Sequence, residues 1–389
     1  MNRVVATLFI VLGACSATPE PVRSHVSIAV SARATTEPLP DVTVLSRGRG
    51  ETTEFSPCAA AGRFVFCRRS GQWFGRSGAE DVVVRLDVEG TPPRVFDQNE
   101  LTWDSPEQPP RLVSDGADAY WVTKTRIEKL PQGDEAPVVV HRFADREGLQ
   151  TPDGVAIHAG EIWEQFIGRV GGVETTTILG TDLGGERFNR LVELGLSPRR
   201  RNFFVGAGVR AWVLADEPAL AVMRDLSTQG EGRADSVTGT LPVNLGQEER
   251  GEYDAPNVLV AFSGSDLYFV APFGEGYAVS IAGRDRQART LYSAEDVAEE
   301  LPTHETITNI VLDETYLYYL DPDWQNEENH GVRLLRLRRD PQAPAKPTTL
   351  GVVQEGGTMW LYKGKVHMIG AITGDIVRFN GSASPETSR

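Results

Sequence analysis

The 389-residue sequence contains only three cysteines, Cys15, Cys58 and Cys67, and lacks the short signatures of several common chemistries. It has no glycine-rich phosphate loop followed by Lys and Ser or Thr, no Gly-x-Ser-x-Gly segment and no His-Glu-x-x-His segment. No two cysteines have the spacing of a zinc site, and the six histidines are scattered. These absences argue against P-loop, α/β-hydrolase and zincin chemistry, and the sequence predicts neither a cofactor nor a metal.

Positive charge is also scarce, because 39 Lys and Arg residues face 54 Asp and Glu residues, for a formal net charge of −15. An acidic surface repels phosphate groups, so we expect no nucleic-acid partner. After residue 15, no apolar run is long enough to span a bilayer. These features favour an exported, soluble and monomeric domain.

The first 15 residues have the parts of an export leader. Arg3 supplies a positive start, and residues 4–12 (VVATLFIVL) form a short apolar core. Residues 12–15 (LGAC) resemble the lipobox of bacterial lipoproteins. The resemblance implies cleavage before Cys15 and attachment of several acyl (palmitate-type) chains there, which anchors a protein stably to a membrane. An ordinary secretory leader with a chance cysteine is the alternative.

Ser16, rather than Asp, follows the cysteine. By the enterobacterial sorting rule this favours the outer membrane of the cell envelope, and it leaves the periplasmic and surface sides both open. The composition predicts four segments: a signal peptide at 1–14, a flexible tether at 15–40, a repeat domain at 41–381 and a disordered tail at 382–389.

From residue 41 the sequence is built on a repeated unit, seen most clearly at residues 114–131 (SDGADAYWVTKTRIEKLP). An Asp115-Gly116 turn precedes a strand rich in aromatic residues, and two more strands follow, the last at 137–142 (PVVVHR). Four short strands in about 35 residues are typical of one β-propeller blade.

A strand of this aromatic type recurs at spacings of roughly 40–55 residues, within the range for propeller repeats. The seven segments are 63–67 (RFVFC), 119–123 (AYWVT), 161–164 (EIWE), 210–214 (RAWVL), 266–270 (DLYFV), 316–320 (YLYYL) and 365–369 (KVHMI). The seventh repeat has no fourth strand of its own, whereas residues 41–47 (DVTVLSR) resemble a last strand without a sheet.

The sequence therefore predicts an all-β fold: a seven-bladed β-propeller of four-stranded antiparallel blades, with the last blade completed by the N-terminal strand. This pairing removes an unpaired strand edge. Six or eight blades are the alternatives. One short surface helix is expected at 293–301 (SAEDVAEEL), which begins with a Ser cap.

Cys58 and Cys67 flank the first predicted hairpin, and an oxidising compartment favours a disulfide between them. A turn centred between Gly62 and Arg63 places the two cysteines directly opposite each other. Alignment on Tyr120 moves the turn about two residues earlier and offsets the cysteines diagonally, which is less suited to bonding. The sequence leaves two alternatives for Cys58 and Cys67: a disulfide, or two buried free thiols.

One acidic segment, 321–330 (DPDWQNEENH), is a candidate site. Oxygen ligands at alternating positions are similar to those of a calcium loop, but the glycine of its sharp turn is missing. These ligands are Asp321, Asp323, Gln325 and Glu327. Trp324 lies among these polar residues, and exposed tryptophans in polar rims are common contact residues. We interpret the segment as a solvated hairpin that serves as a partner surface, with a cation site as the alternative.

The Tyr120-Trp121 pair after an Asp-Gly turn, with a Lys-Leu-Pro strand behind it, resembles the YWTD-like repeats of extracellular propellers. It is similar to uncharacterised bacterial lipoproteins built from such repeats. The resemblance covers most of residues 51–380. The Thr-Asp that ends the receptor-type repeat is absent, since Val122-Thr123 stands there, so the receptors' ligand-binding properties are not implied.

Two functions are compatible with this sequence. The first is a lipid-anchored, non-catalytic binding or scaffold protein that presents one propeller face to a protein or glycan partner. The second is a propeller enzyme, such as a lyase, lactonase or glycan hydrolase, that uses the central channel. Its catalytic set would come from residues such as Asp115, His158, Asp313 and Glu314. Convergence of three or more of these residues at one channel mouth distinguishes the second function from the first.

Overall fold

The structure is a computed structural model. It describes residues 42–47, 55–69, 82–97, 99–103, 110–143, 154–158, 160–170, 173–183, 188–194, 203–206, 209–214, 219–224, 239–242, 259–264, 266–273, 276–282, 288–294, 309–322, 332–339, 346–353, 355–371 and 373–380. The predicted leader, Cys15, the tether and the tail lie outside these ranges. Within them, no helix has the length and apolar character needed to cross a membrane.

The described residues form an all-β fold of four-stranded antiparallel sheets, seven in all. Strand β1 (Val42–Ser46) comes first in the chain and joins the last sheet. Sheet 1 contains β2 (Phe55–Ala61), β3 (Phe64–Arg69), β4 (Val82–Asp87) and β5 (Arg94–Phe96). Sheet 2 contains β6 (Arg111–Ser114), β7 (Ala119–Val122), β8 (Arg126–Leu130) and β9 (Val138–Arg142). Sheet 3 contains β10 (Gly154–His158), β11 (Glu161–Val170), β12 (Val173–Asp182) and β13 (Phe188–Leu194).

The remaining four sheets repeat this arrangement. Sheet 4 contains β14 (Phe203–Gly206), β15 (Val209–Leu214), β16 (Ala219–Arg224) and β17 (Gly239–Pro242). Sheet 5 contains β18 (Leu259–Ser263), β19 (Asp266–Phe273), β20 (Gly276–Ala282) and β21 (Ala288–Ala294). Sheet 6 contains β22 (Val311–Leu312), β23 (Tyr316–Pro322), β24 (Val332–Arg338) and β25 (Thr348–Val353). Sheet 7 contains β26 (Gly357–Tyr362), β27 (Lys365–Gly370), β28 (Ile376–Phe379) and β1.

The aromatic segments of the repeat all lie on second strands of these sheets. One apolar cluster joins sheets 1 and 2 through Phe66, Phe96 and Trp121. Similar clusters join sheets 2 and 3, 5 and 6, 6 and 7, and 7 and 1. First strands of consecutive sheets also contact one another, and β26 contacts β2.

Hairpin turns between first and second strands have two lengths. In sheet 1, Ala61 pairs with Phe64 and leaves a two-residue turn, in which Gly62 has a φ of 59°. That left-handed conformation suits glycine and the twist of a short hairpin. In sheet 2, Ser114 pairs with Ala119 and leaves a four-residue turn. Aligning the first repeat with the second on Tyr120 therefore misplaces the turn of sheet 1, because the two turns differ in length by two residues.

The two-residue turn places Cys58 directly opposite Cys67, and the two form a disulfide with a Cα–Cα distance of 4.2 Å. This spacing is close to that of a non-hydrogen-bonded antiparallel pair, which brings side chains together. Cys67 is fully buried and packs with Trp360 and Ile369 of sheet 7. The cross-link therefore lies next to the contact between sheets 7 and 1.

Replacing both cysteines (Cys58→Ala with Cys67→Ala) is expected to lower the free energy of unfolding by about 2.5 kcal/mol. The cysteines are 9 positions apart, and constraint of the unfolded chain by a loop of this size contributes roughly that amount. Guanidinium unfolding followed by tryptophan fluorescence measures the change. A reducing agent should destabilise the natural chain to a similar extent and leave the double variant unchanged; equal stability of the two oxidised proteins would contradict the prediction.

Strand β1 lies antiparallel to β28, with Val42 opposite Phe379 and Val44 opposite Val377. The Asn380 side-chain amide donates to Thr43 Oγ1 at 2.7 Å. Sheet 7 is thus composed of one strand from near the start of the chain and three from near its end. The pairing covers the edge of β28.

The helix expected at 293–301 does not begin where the Ser cap indicated. Ser293 lies near the end of β21 and pairs with Ala278. The residues that precede Ser293 favour a strand, and β21 continues through Ser293 because it stays paired with β20. The rest of the predicted helix, residues 295–301, lies outside the described ranges.

Candidate functional site

A cavity of about 410 Å³ lies among the first strands of sheets 1, 2, 6 and 7. Its wall contains apolar side chains such as Leu112 and Trp360, together with the polar side chains of Ser114, Asn309 and Thr358. None of the described lining residues has an ionisable side chain other than Cys58, whose sulfur is in the disulfide. The cavity is thus a neutral recess at the hairpin-turn end of these strands.

Polar groups in this wall connect neighbouring sheets. Asn309 Nδ2 donates to the Met359 carbonyl at 2.6 Å, and Asn309 Oδ1 accepts from the Met359 amide at 2.9 Å. Ser114 Oγ donates to the Ala60 carbonyl and accepts from the Gly116 amide. Since buried polar groups are normally hydrogen-bonded, these contacts account for the Asn309 and Ser114 side chains and tie neighbouring sheets together.

Asp115 and Asp313 do not line the cavity, because their carboxylates organise hairpin turns. Asp115 Oδ1 accepts from the amides of Ala117 and Asp118 at 2.9 and 2.7 Å, and its Oδ2 accepts from the Tyr120 hydroxyl at 3.1 Å. Asp313 makes the same contacts in sheet 6. Its Oδ1 accepts from two amides of its turn, and its Oδ2 accepts from the Tyr318 hydroxyl.

The buried tyrosines stay protonated in this arrangement. Burial raises the pKa of Tyr120, and the neighbouring Asp115 charge raises it further. Burial and the hydrogen bond to Asp313 act in the same direction on the pKa of Tyr318. The spacing of Asp and Tyr five positions apart is therefore a structural unit of sheets 2 and 6.

The other two members of the hypothetical catalytic set also lie outside the cavity wall. His158 is half-buried at the end of β10, opposite Glu161. Glu314 is exposed in the Asp313 turn. The described cavity therefore does not bring this set together. Across the described ranges, no three His, Cys, Asp or Glu side chains approach one another as metal ligands would.

Asp321, the first residue of the predicted partner loop, lies on strand β23 rather than in a loop. It is 6% exposed and pairs with Arg333 on β24, with 3.0 Å between Asp321 Oδ2 and Arg333 Nη2. Strand pairing continues to Pro322 because β24 is long enough to match it. Asp323, Trp324 and Glu327 lie outside the described ranges.

Two of the described histidines are buried among packed side chains. His367 is 3% exposed and stacks on Trp360, with ring centroids 5.6 Å apart, and burial lowers its pKa. His141 is also buried, with its Nε2 atom 3.4 Å from Glu164 Oε1 of sheet 3. Both residues take part in packing, as lone histidines on apolar strands usually do.

A charged cluster on the surface links sheet 1 to sheet 7, and nothing in the sequence indicated it. Glu89 accepts hydrogen bonds from Lys363 Nζ at 2.6 Å, Tyr362 Oη at 2.7 Å and Arg63 Nη1 at 2.8 Å. Glu89 and Tyr362 are 273 positions apart, so no local spacing connects them. The hydrogen bonds from Lys363, Tyr362 and Arg63 lower the pKa of the Glu89 carboxyl to about 2.

This depressed pKa predicts a stability difference that depends on pH. The Glu89 contribution is present above the ordinary pKa of 4.5 and disappears as the pH falls towards 2. Glu89→Gln should therefore destabilise the protein at pH 7 and have no effect near pH 2, as measured by unfolding midpoints. A double-mutant cycle that combines Glu89→Gln with Lys363→Gln measures the interaction free energy between these two side chains. A Glu89→Gln effect that is constant over this pH range would contradict the prediction.

No protein-family model and no curated protein matches this chain. Solved structures with some likeness include an acylaminoacyl peptidase from Pyrococcus horikoshii (TM-score 0.48, 10% identity, 82% of this chain and 49% of that one). The β-propeller domain of the Trilobed protease from Pyrococcus furiosus gives a TM-score of 0.48 and 10% identity over 87% of this chain and 99% of that one.

A puromycin-hydrolyzing peptidase from Mycobacterium tuberculosis gives a TM-score of 0.49 and 16% identity over 89% of this chain and 55% of that one. The chain spans about half the length of the Pyrococcus horikoshii and Mycobacterium tuberculosis peptidases. At these scores and identities the likenesses carry no argument about this chain's fold or activity.

Proposed function

We propose that the chain is a closed seven-bladed β-propeller anchored to the bacterial outer membrane by lipid on Cys15. Two observations support closure: contacts between first strands run from each sheet to the next and from β26 back to β2, and β1 completes sheet 7. The lipobox-like residues 12–15 support the anchor. Cys15→Ser should move the protein from the membrane fraction to the soluble fraction of the envelope; retention in the membrane would contradict the anchor.

The anchored propeller acts as a non-catalytic binding or scaffold protein for a protein or glycan of the envelope. One observation carries this function: the cavity at the hairpin-turn end is neutral, and the Asn309 and Ser114 side chains in its wall are already bonded to backbone groups. The Asp115 and Asp313 carboxylates are likewise occupied by their turns. A rigid scaffold with these properties is suited to presenting a fixed surface.

Capture from envelope extracts tests this function. The form lacking residues 1–15 is immobilised, and retained proteins and glycans are identified. Trp324→Ala, in the proposed partner segment, should reduce capture, whereas Val95→Ser, at a 51% exposed position on the outer strand of sheet 1, should not. Equal capture by the two variants would contradict this surface. Saturable turnover of lactone, polyuronate or glycoside substrates by the purified protein would contradict the non-catalytic function.

A further inference from the structure

A polar cluster lies between sheets 5 and 6, at the end of the strands where the second strand of each sheet leads into the third. Tyr277 begins β20 and Asp321 lies near the end of β23, so both are at this end. Tyr319 is on the same face of β23 as Asp321, and Arg333 stands directly opposite Asp321 on β24. Tyr292, on β21, completes the set from the outer strand of sheet 5.

The inner part of this cluster is a buried polar floor. Tyr277 and Tyr319 are 6% and 0% exposed, and their hydroxyl oxygens are 3.2 Å apart. The rings of Tyr277 and Tyr319 meet edge to face, with centroids 5.8 Å apart. Asp321 is buried beside them, and a buried carboxylate requires a cation close by. Arg333 supplies that cation at 3.0 Å.

The outer part of the cluster is open to solvent. The Arg333 side chain is 40% exposed, whereas that of Asp321 is 8% exposed. A guanidinium has five N–H donors in one plane, and the contact with Asp321 fixes that plane while using one of its nitrogens. Tyr292 is half-buried, and its ring lies 6.2 Å from that of Tyr277. Arg333 is close enough to act electrostatically on the Tyr292 hydroxyl. An oriented cation and an aromatic ring therefore lie near each other at this end of the two sheets.

We infer that Arg333 and Tyr292 form a binding site for the carboxylate of an acidic sugar, the guanidinium pairing with the carboxylate and the ring packing against the sugar. This inference rests on the proposed binding function and names its ligand class. Planar guanidinium and carboxylate groups match each other in geometry. A phosphate dianion is disfavoured, because the Asp321 charge lies next to the same guanidinium and repels a second negative charge more strongly.

Calorimetric titration of the form lacking residues 1–15 with trigalacturonate tests the site. We expect saturable binding, no binding of the methyl-esterified trisaccharide, and affinity that falls as salt is raised. Arg333→Gln should weaken binding about tenfold or more, since hydrogen bonds to charged groups contribute roughly that much. Arg338→Gln, an exposed arginine at the other end of β24, is the matched control and should bind like the natural chain.

Tyr292→Leu provides a second variant, because it leaves the Asp321–Arg333 pair intact and keeps the measurement informative if Arg333→Gln unfolds. It should weaken trigalacturonate binding severalfold while preserving the unfolding midpoint. Absence of saturable trigalacturonate binding, or binding that neither substitution weakens, would overturn the inference. So would tighter binding of a peptide with a free C-terminal carboxylate. In these cases, Trp324-dependent capture from envelope extracts would still support the proposed binding function.

Discussion

A chain that starts at Arg47, and so lacks β1, is expected to lose about 4 kcal/mol or more of its free energy of unfolding. Burial of Val42, which is 8% exposed, contributes about 2 kcal/mol. The ladder to β28 adds several hydrogen bonds, each with a net contribution of about 1 kcal/mol. Val42 also fills space over Gly351 of sheet 6, where an added Cβ would lie 2.7 Å from Val42 Cγ2.

A chain that starts at Pro38 is the matched control, because Pro38–Arg389 is one of two compact units of the chain and keeps β1. It should unfold at the same denaturant concentration as the longer chain. The Arg47 form should also associate through the exposed edge of β28, which light scattering detects. Equal midpoints for the chains starting at Arg47 and Pro38 would show that the pairing of β1 with β28 contributes little.

Trp121→Ala is expected to cost about 4 kcal/mol of unfolding free energy. Trp121 is fully buried between sheets 1 and 2, and loss of so large a ring leaves a cavity that the neighbouring side chains cannot fill. Its indole nitrogen donates to the Thr102 carbonyl at 2.7 Å, and its ring meets Trp103 edge to face at 4.8 Å. Both contacts disappear in the variant.

Urea unfolding followed by far-UV circular dichroism measures this change without depending on the removed fluorophore. Trp121→Phe keeps an aromatic ring but leaves the Thr102 carbonyl without its donor, so we expect a cost of about 2 kcal/mol. Val138→Ser, at a 58% exposed position in the same sheet, should change stability by less than about 0.5 kcal/mol. A Trp121→Ala variant as stable as Val138→Ser would contradict a structural role for the aromatic repeat.

The repeated aromatic segments were readable because their signal is local. A turn residue and the aromatic-rich strand after it are set by neighbours in the chain, and these strands occur where the second strands are found. The pairing of β1 with β28 could also be inferred. The seventh repeat lacks a fourth strand, and the residues before the first repeat form one extra strand that can take its place. The contact between Asp115 and Tyr120 is also local in the chain. Asp115 was nevertheless one of the residues considered for a catalytic set.

Features that depend on the exact pairing of strands, or on contacts between sheets, were not readable. Asp321 looked like a loop ligand because Asp and Pro are frequent in loops, but Arg333 stabilises it within a strand. The Cys58–Cys67 register depended on a difference of two residues in turn length, which composition does not reveal. Glu89 and Tyr362 meet only because sheets 1 and 7 lie side by side.

The composition of sheet 7 has a consequence for biosynthesis. Thr43 leaves the ribosome 337 positions before Asn380, whose side chain it binds in the finished protein. Sheets 1 to 6 each come from contiguous segments and can form in turn, but β1 waits until the last of its partners has been made. A nascent chain that stalls before β28 therefore displays two bare strand edges, and these mark it as unfinished to proteases and holding chaperones.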